Sequence, residues 1–118
     1  VRVGVDLIEV ARVQTAIERH GERFYQRFLT PAERELCGQR IERIAARIAA
    51  KEAVAKALGT GIGDIRWVEI EILSDLRGRP VLTLHGAASL LAQQLELREW
   101  EISLSHTTTQ ALAFVVAI

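Results

Sequence analysis

The sequence predicts one domain that mixes helices with strands. Three observations carry this reading. Segments at both ends and past the middle alternate apolar and polar residues with period two, the stretch between residues 9 and 59 has helical spacing and helix-forming composition, and the 118 residues match one domain and are too few for two of full size. No internal repeat or low-complexity linker interrupts the chain.

In chain order, Val1-Arg2-Val3-Gly4-Val5-Asp6 alternates as a strand does, with valines on one face and Asp6 on the other, at the strand's end. From Glu9 to His20, Val10, Val13 and Ile17 recur at helical spacing, Arg12 and Arg19 stand off that stripe, and Gly21 is a stop. Thr30-Pro31-Ala32-Glu33 is the clearest helix start: Thr30 can cap, proline suits the first helical position, and Glu33 can reach back to complete a capping box. Arg40 to Leu58 is alanine-rich and contains no breaker, so a long helix is expected there, ended by Gly59 and followed by a turn through Gly63. Val68, Ile70 and Ile72 alternate with Trp67, Glu69 and Glu71 as a strand. A turn from Asp75 to Pro80 leads to a partner strand over Val81 to His85, then a helix over Ala87 to Leu97. Trp100 to His106 and Gln110 to Ile118 read as two strands joined by Thr107-Thr108-Thr109.

Composition narrows the function. A quarter of the residues are charged and no apolar run approaches the roughly 20 residues of a membrane span, which argues against an integral membrane protein. The N-terminus lacks the apolar stretch of a secretory signal, and the single cysteine, Cys37, excludes an internal disulfide and a multi-cysteine zinc site, so a cytoplasmic protein is expected. Zero net charge argues against wrapping nucleic acid by electrostatics. The charge is nonetheless uneven: residues 1–59 hold eleven Lys/Arg and eight Asp/Glu, a net +3, and residues 60–118 hold four and seven, a net −3. Thirteen of the fifteen cations are arginine, and the two lysines, Lys51 and Lys56, lie within one stretch of the long helix. Lysine is a compact, titratable point charge, so that choice suggests a chemical reason.

Three residues break their own patterns. Glu52 falls within the apolar stripe of Ile41, Ile44, Ile48 and Ala55 on the long helix; it is either the partner of Lys56 one turn later or a metal ligand or general base. Asp6 is a short acid in a strand, either a cap for the following helix or a ligand. His106 extends the apolar row of Ile102 and Leu104, as a buried core histidine would. Two carboxylates on rigid elements, without a histidine pair or cysteine set, favour a hard cation such as Mg2+ over zinc. Magnesium usually means phosphate, for which Lys56 and Arg47 could supply positive charge. The glycine run from Gly59 to Gly63 could approach phosphate through its backbone, yet it lacks the ending of a P-loop, and a helix stop explains it equally well.

Three segments, in order and spacing, carry a more specific signal: Gly4-Val5-Asp6-Leu7-Ile8-Glu9, Ala49-Ala50-Lys51-Glu52-Ala53 leading to Lys56-Ala57-Leu58-Gly59-Thr60-Gly61, and Ser103-Leu104-Ser105-His106-Thr107. Together with Phe28-Leu29-Thr30-Pro31-Ala32-Glu33, and over essentially the whole chain, the sequence resembles the holo-[acyl-carrier-protein] synthases, the small 4'-phosphopantetheinyl transferases of bacterial fatty acid synthesis. One departure is Ile48, where many relatives carry phenylalanine. The resemblance implies an α+β fold, an antiparallel sheet packed with helices, present as a single-copy unit over residues 1–118. It implies transfer of 4'-phosphopantetheine from coenzyme A to a serine of apo-acyl carrier protein, with release of adenosine 3',5'-bisphosphate.

Asp6 and Glu52 then match magnesium ligands, and Lys56 matches a lysine that stabilises or protonates the leaving group. Glu52 or a water on the metal would take the serine proton. Arg47 and His106 match positions at the 3'-phosphate of coenzyme A, and Lys56 and Gly59 are also expected to bind coenzyme A. The resemblance further implies a homotrimer with active sites between neighbours. The last strand hints at this independently, since Leu112, Phe114, Val116 and Ile118 fill one face and Ala111, Ala113, Val115 and Ala117 the other, so it needs cover on both sides. Carrier protein is expected on the basic N-terminal half, through Arg12, Arg23 and Arg27, unless these only form a solvated helix face. Two other classes share the same residues: a Mg2+-dependent phosphate-ester hydrolase, and a non-catalytic trimer that binds coenzyme A.

Overall fold

Residues 1–118 are described by a computed structural model. The chain begins with β1 (Arg2–Glu9), which runs without a loop into α1 (Val10–His20), followed by α2 (Glu22–Phe28) and α3 (Pro31–Cys37). The long helix α4 (Ile41–Leu58) comes next. A 3-10 turn at Trp67–Glu69 leads into the hairpin of β2 (Ile70–Ser74) and β3 (Pro80–Leu84); α5 (Gly86–Gln94), β4 (Trp100–His106) and β5 (Gln110–Ala117) complete the chain. The strands form two antiparallel sheets, one of order β1-β5-β4 and one of β2-β3, giving an α+β architecture. No helix is long and apolar enough to cross a membrane.

α4 is the axis of the molecule. Its alanines leave little side-chain bulk, so strands and helices can approach it on several sides, and it contributes residues to both core clusters. One cluster joins Ala49, Ala53 and Ala57 to β2, α5 and the inner face of β5; the other joins Ile44, Ala45 and Ile48 to α1, α2 and α3. Closest contact is at Gly4. A Cβ there would stand 1.9 Å from the Ala53 carbonyl oxygen, so glycine is what lets β1 lie against α4.

β5 has one covered face. Ala111, Ala113, Val115 and Ala117 are buried, whereas Leu112, Phe114 and Ile118 are exposed and continue across the register into Val3, Val5 and Leu7 of β1. The valines of β1 are thus on the open face, and Gly4, Asp6 and Ile8 face the helix side.

Several boundaries differ from the sequence expectation. β1 does not end at Asp6 but continues to Glu9, with Asp6 opposite Ala113, so Asp6 is a mid-strand residue and not a helix cap. α2 appears where no separate helix was expected; it is held by packing of Phe24 on Phe28 and of Phe28 on Trp67, with ring centroids 4.6 and 4.8 Å apart. Val68 lies in the 3-10 turn because the Glu69 carboxylate accepts hydrogen bonds from the backbone N–H groups of Arg66 and Ala87, each at 2.6 Å, which draws that segment off the strand. α5 ends at Gln94, where Glu96 turns to a positive φ of 59°. The capping box at Thr30 and Glu33 and the left-handed Gly59 after α4 are as expected.

Candidate active site

Asp6 and Glu52 come together. They line one hollow of about 420 Å³ with Ile8, Arg12, Phe28 and Trp67. β1 supplies Asp6 from its helix-facing side and α4 supplies Glu52, and the fit at Gly4 sets how closely those two elements approach. The Lys56 ammonium, one turn beyond Glu52, donates to Asp6 Oδ1 at 3.2 Å and to the Val5 carbonyl oxygen at 2.9 Å. The expected Glu52–Lys56 ion pair is therefore not formed; Lys56 pairs with Asp6 instead. Glu52 is left with burial and the neighbouring Asp6 charge, which raise its carboxyl above the usual carboxylate range, against a smaller lowering by Lys56. A carboxylate disfavoured in this way is relieved by a cation. The hollow offers the carboxylates of Asp6 and Glu52, with Glu9 also on its lining, and no thiolate or imidazole, which fits a hard divalent ion that keeps other positions for water or phosphate oxygens.

Arg47 and His106 also come together, but elsewhere. They line a separate hollow of about 520 Å³ with Ser74, Asp75, Gly78 and Pro80. Arg47 is buried, held by the Ser74 hydroxyl at 2.9 Å and the Ile72 carbonyl at 3.4 Å, so its guanidinium is fixed at the hollow's wall. His106 is exposed at the end of β4, contrary to the reading of a buried core histidine. Within one chain no lining residue is common to this hollow and the Asp6/Glu52 hollow. Gly59 lines neither; it closes α4 one turn beyond Lys56, and its Cβ would meet the Arg2 guanidinium at 3.0 Å.

Arg12, Arg23 and Arg27 are all exposed. Arg12 stands at the Asp6/Glu52 hollow, and Arg23 and Arg27 rim an adjoining hollow of about 460 Å³ that shares Ala16, Phe24 and Phe28 with it. The two concavities form one surface, basic at the rim and aromatic at the base.

The pairing of Lys51 with Glu33 escaped the sequence reading. Both side chains are fully buried, Lys51 Nζ donates to Glu33 Oε1 at 2.6 Å, and Glu33 also serves the capping box. The placement of a lysine beside Lys56 was the one available signal, but its partner lies eighteen residues away in another helix.

A family model described as the 4'-phosphopantetheinyl transferase superfamily matches residues 2–115. The chain belongs to that superfamily of transferases. Within it the chain groups with one kind of enzyme: it is 48% identical over 122 residues to the holo-[acyl-carrier-protein] synthase of Herpetosiphon aurantiacus, covering 98% of this chain and 96% of the relative. It is 47% identical to that of Solidesulfovibrio magneticus, covering 97% and 94%. Among solved structures, the Helicobacter pylori holo-[acyl-carrier-protein] synthase in complex with coenzyme A superposes with a TM-score of 0.90 at 32% identity, covering 98% of this chain and 99% of that one. The Neisseria meningitidis holo-[acyl-carrier-protein] synthase gives 0.90 at 34% identity, covering 99% and 97%. The chain is thus an enzyme of the holo-[acyl-carrier-protein] synthase type.

Proposed function

We propose that residues 1–118 form a single transferase domain that moves 4'-phosphopantetheine from coenzyme A to a serine hydroxyl of apo-acyl carrier protein, in the cytoplasm and in service of fatty acid biosynthesis. Asp6 and Glu52 hold Mg2+. The observation that carries this reading is their meeting in one hollow, beside Lys56 and the basic, aromatic surface of Arg12, Arg23 and Arg27. The bound metal supplies charge neutralisation at the pyrophosphate of coenzyme A.

The chain's own residues do the rest. The serine oxygen forms a bond to the phosphorus that carries pantetheine, the bond from that phosphorus to the bridging oxygen breaks, and adenosine 3',5'-bisphosphate leaves. Glu52 is placed to take the hydroxyl proton, and Lys56 Nζ to stabilise or protonate the leaving phosphate. Arg47 and His106 bind the 3'-phosphate. Their hollow is separate from that of Asp6 and Glu52 in one chain, which supports a site whose two halves are contributed by neighbouring chains. The uncovered apolar face of β1 and β5 supports a homotrimer of that kind.

The test mixes the protein with coenzyme A, Mg2+ and an apo-carrier protein and follows the carrier by mass spectrometry. The phosphopantetheine adduct is expected with the wild type and absent with folded Asp6→Ala and Glu52→Ala. Breakdown of coenzyme A without an adduct would identify a hydrolase, and near-normal transfer by either variant in saturating Mg2+ would reject the assigned metal ligands.

A further inference from the structure

Lys51, the other lysine of α4, has no part in that chemistry. It does not line the hollow of Asp6 and Glu52; its ammonium is bonded on the side of α4 that faces Glu33 and Trp67. Its side chain is fully buried. Its Nζ donates to Glu33 Oε1 at 2.6 Å and to the Trp67 carbonyl oxygen at 3.1 Å. Glu33 in turn accepts from the Thr30 N–H at 2.9 Å and, through Oε2, from the Ile72 N–H at 2.8 Å. Two side chains thus fasten α3, the 3-10 turn and β2 to the one turn of α4 that carries Glu52.

Trp67 is where this network reaches the hollow. Its carbonyl is held by Lys51, and its ring packs on Phe28; both rings line the hollow that contains Asp6 and Glu52. A buried ion pair is a poor source of net stability, since its desolvation offsets most of its attraction, and apolar replacements of similar volume are often neutral. What it does supply is fixed direction, because every bond in it has one acceptor in one place.

We infer that the Lys51–Glu33 pair is a positioning device for the transferase site, fixing the Trp67–Phe28 wall of the Asp6/Glu52 hollow. This rests on the function proposed above, and the test has an arm that does not. In a Trp100→Phe background Trp67 is the sole tryptophan, and its fluorescence reports the wall directly. The key variant is Lys51→Met/Glu33→Gln, which removes both charges together.

The double variant is expected to fold but to melt below the wild type, since glutamine can accept from only one of the two backbone N–H groups that Glu33 serves. It should show red-shifted and more acrylamide-accessible Trp67 emission, and lose about tenfold or more in kcat. KM for coenzyme A should stay within about twofold, because Arg47 and His106 lie in another hollow. Phe28→Leu, which leaves the pair intact and removes the other half of the wall, should lower kcat in the same way. Unchanged Trp67 emission and unchanged kcat in a folded double variant would reduce the pair to a fold element and overturn the inference. If the double variant does not fold, unchanged kcat in Phe28→Leu overturns it equally. Should the wild type fail to transfer phosphopantetheine at all, the proposed function falls, while the fluorescence arm still decides whether the pair holds the wall.

Discussion

Replacing Gly4 by alanine tests how β1 and α4 set the site. The added Cβ would lie 1.9 Å from the Ala53 carbonyl oxygen and 2.8 Å from its carbon, where real contacts stay beyond 3.0 Å, so strand and helix must separate by about 1.1 Å. Both colliding partners are main chain, and neither can rotate away. Overpacking of this kind costs about 1–3 kcal/mol, and the rigidity of both partners puts Gly4→Ala near the top of that range. For a domain of this size the melting temperature should fall by roughly 10 °C. Asp6 follows Gly4 on the same strand face, so a shift near 1 Å is transmitted to its distance from Glu52, and a displacement of that size costs about 100-fold in rate. Thermal melts by circular dichroism and the mass-spectrometric transfer assay, run well below the lowered melting temperature, separate the two effects. Gly61→Ala, with nothing within 4 Å of its Cβ, is the stability control and should melt like the wild type. A Gly4→Ala protein with unaltered melting and transfer would refute the argument that this close approach sets the site.

Glu52→Gln should raise the melting temperature of metal-free protein at neutral pH. The folded carboxyl is raised above 4.5, so the wild type is stable while Glu52 is protonated and loses that contribution as pH climbs through its folded value; the gap should close well below pH 4.5, and a gap that persists there would contradict the sign. Added Mg2+ should stabilise the wild type and not this variant in the same melts. Arg12→Glu should raise KM for the carrier protein about tenfold at low salt with little change for coenzyme A, and unaltered carrier kinetics would move docking elsewhere. Phe114→Glu, on the open face of β5, should convert a trimer to folded, inactive monomer in sedimentation equilibrium; a wild type that is monomeric and fully active would remove the need for that face.

Local signals were legible where local physics decides. The capping box at Thr30 and Glu33 and the glycine stop at Gly59 depend on neighbours within a few residues, and the start of α3 and the end of α4 followed from them. Where a partner far along the chain decides, the sequence was silent. α2 has seven residues, too few for periodicity, and is held by Phe28 packing on Trp67. β1 tolerates Asp6 in mid-strand because Lys56, fifty residues later, reaches across to it, and the same contact removed Lys56 from Glu52. The candidate site was legible as residue types and family motif; that Arg47 and His106 lie in a different hollow from Asp6 and Glu52 was not, since sequence spacing on α4 does not say what packs on each side.

That last arrangement follows from the screw geometry of α4. Arg47 and Glu52 are five residues apart, which on an α-helix is an advance of about 7.5 Å and a rotation of about 140°. The two groups therefore point to nearly opposite sides of one rod, and the buried alanines between them leave no passage through it. A single inserted residue between Arg47 and Glu52 would swing them by about a further 100° relative to each other without touching either side chain. In the trimer proposed above, the phase of this one helix would set the angle at which successive copies meet for a ligand to touch both groups, so the geometry of such an assembly would be written in the count of residues along α4.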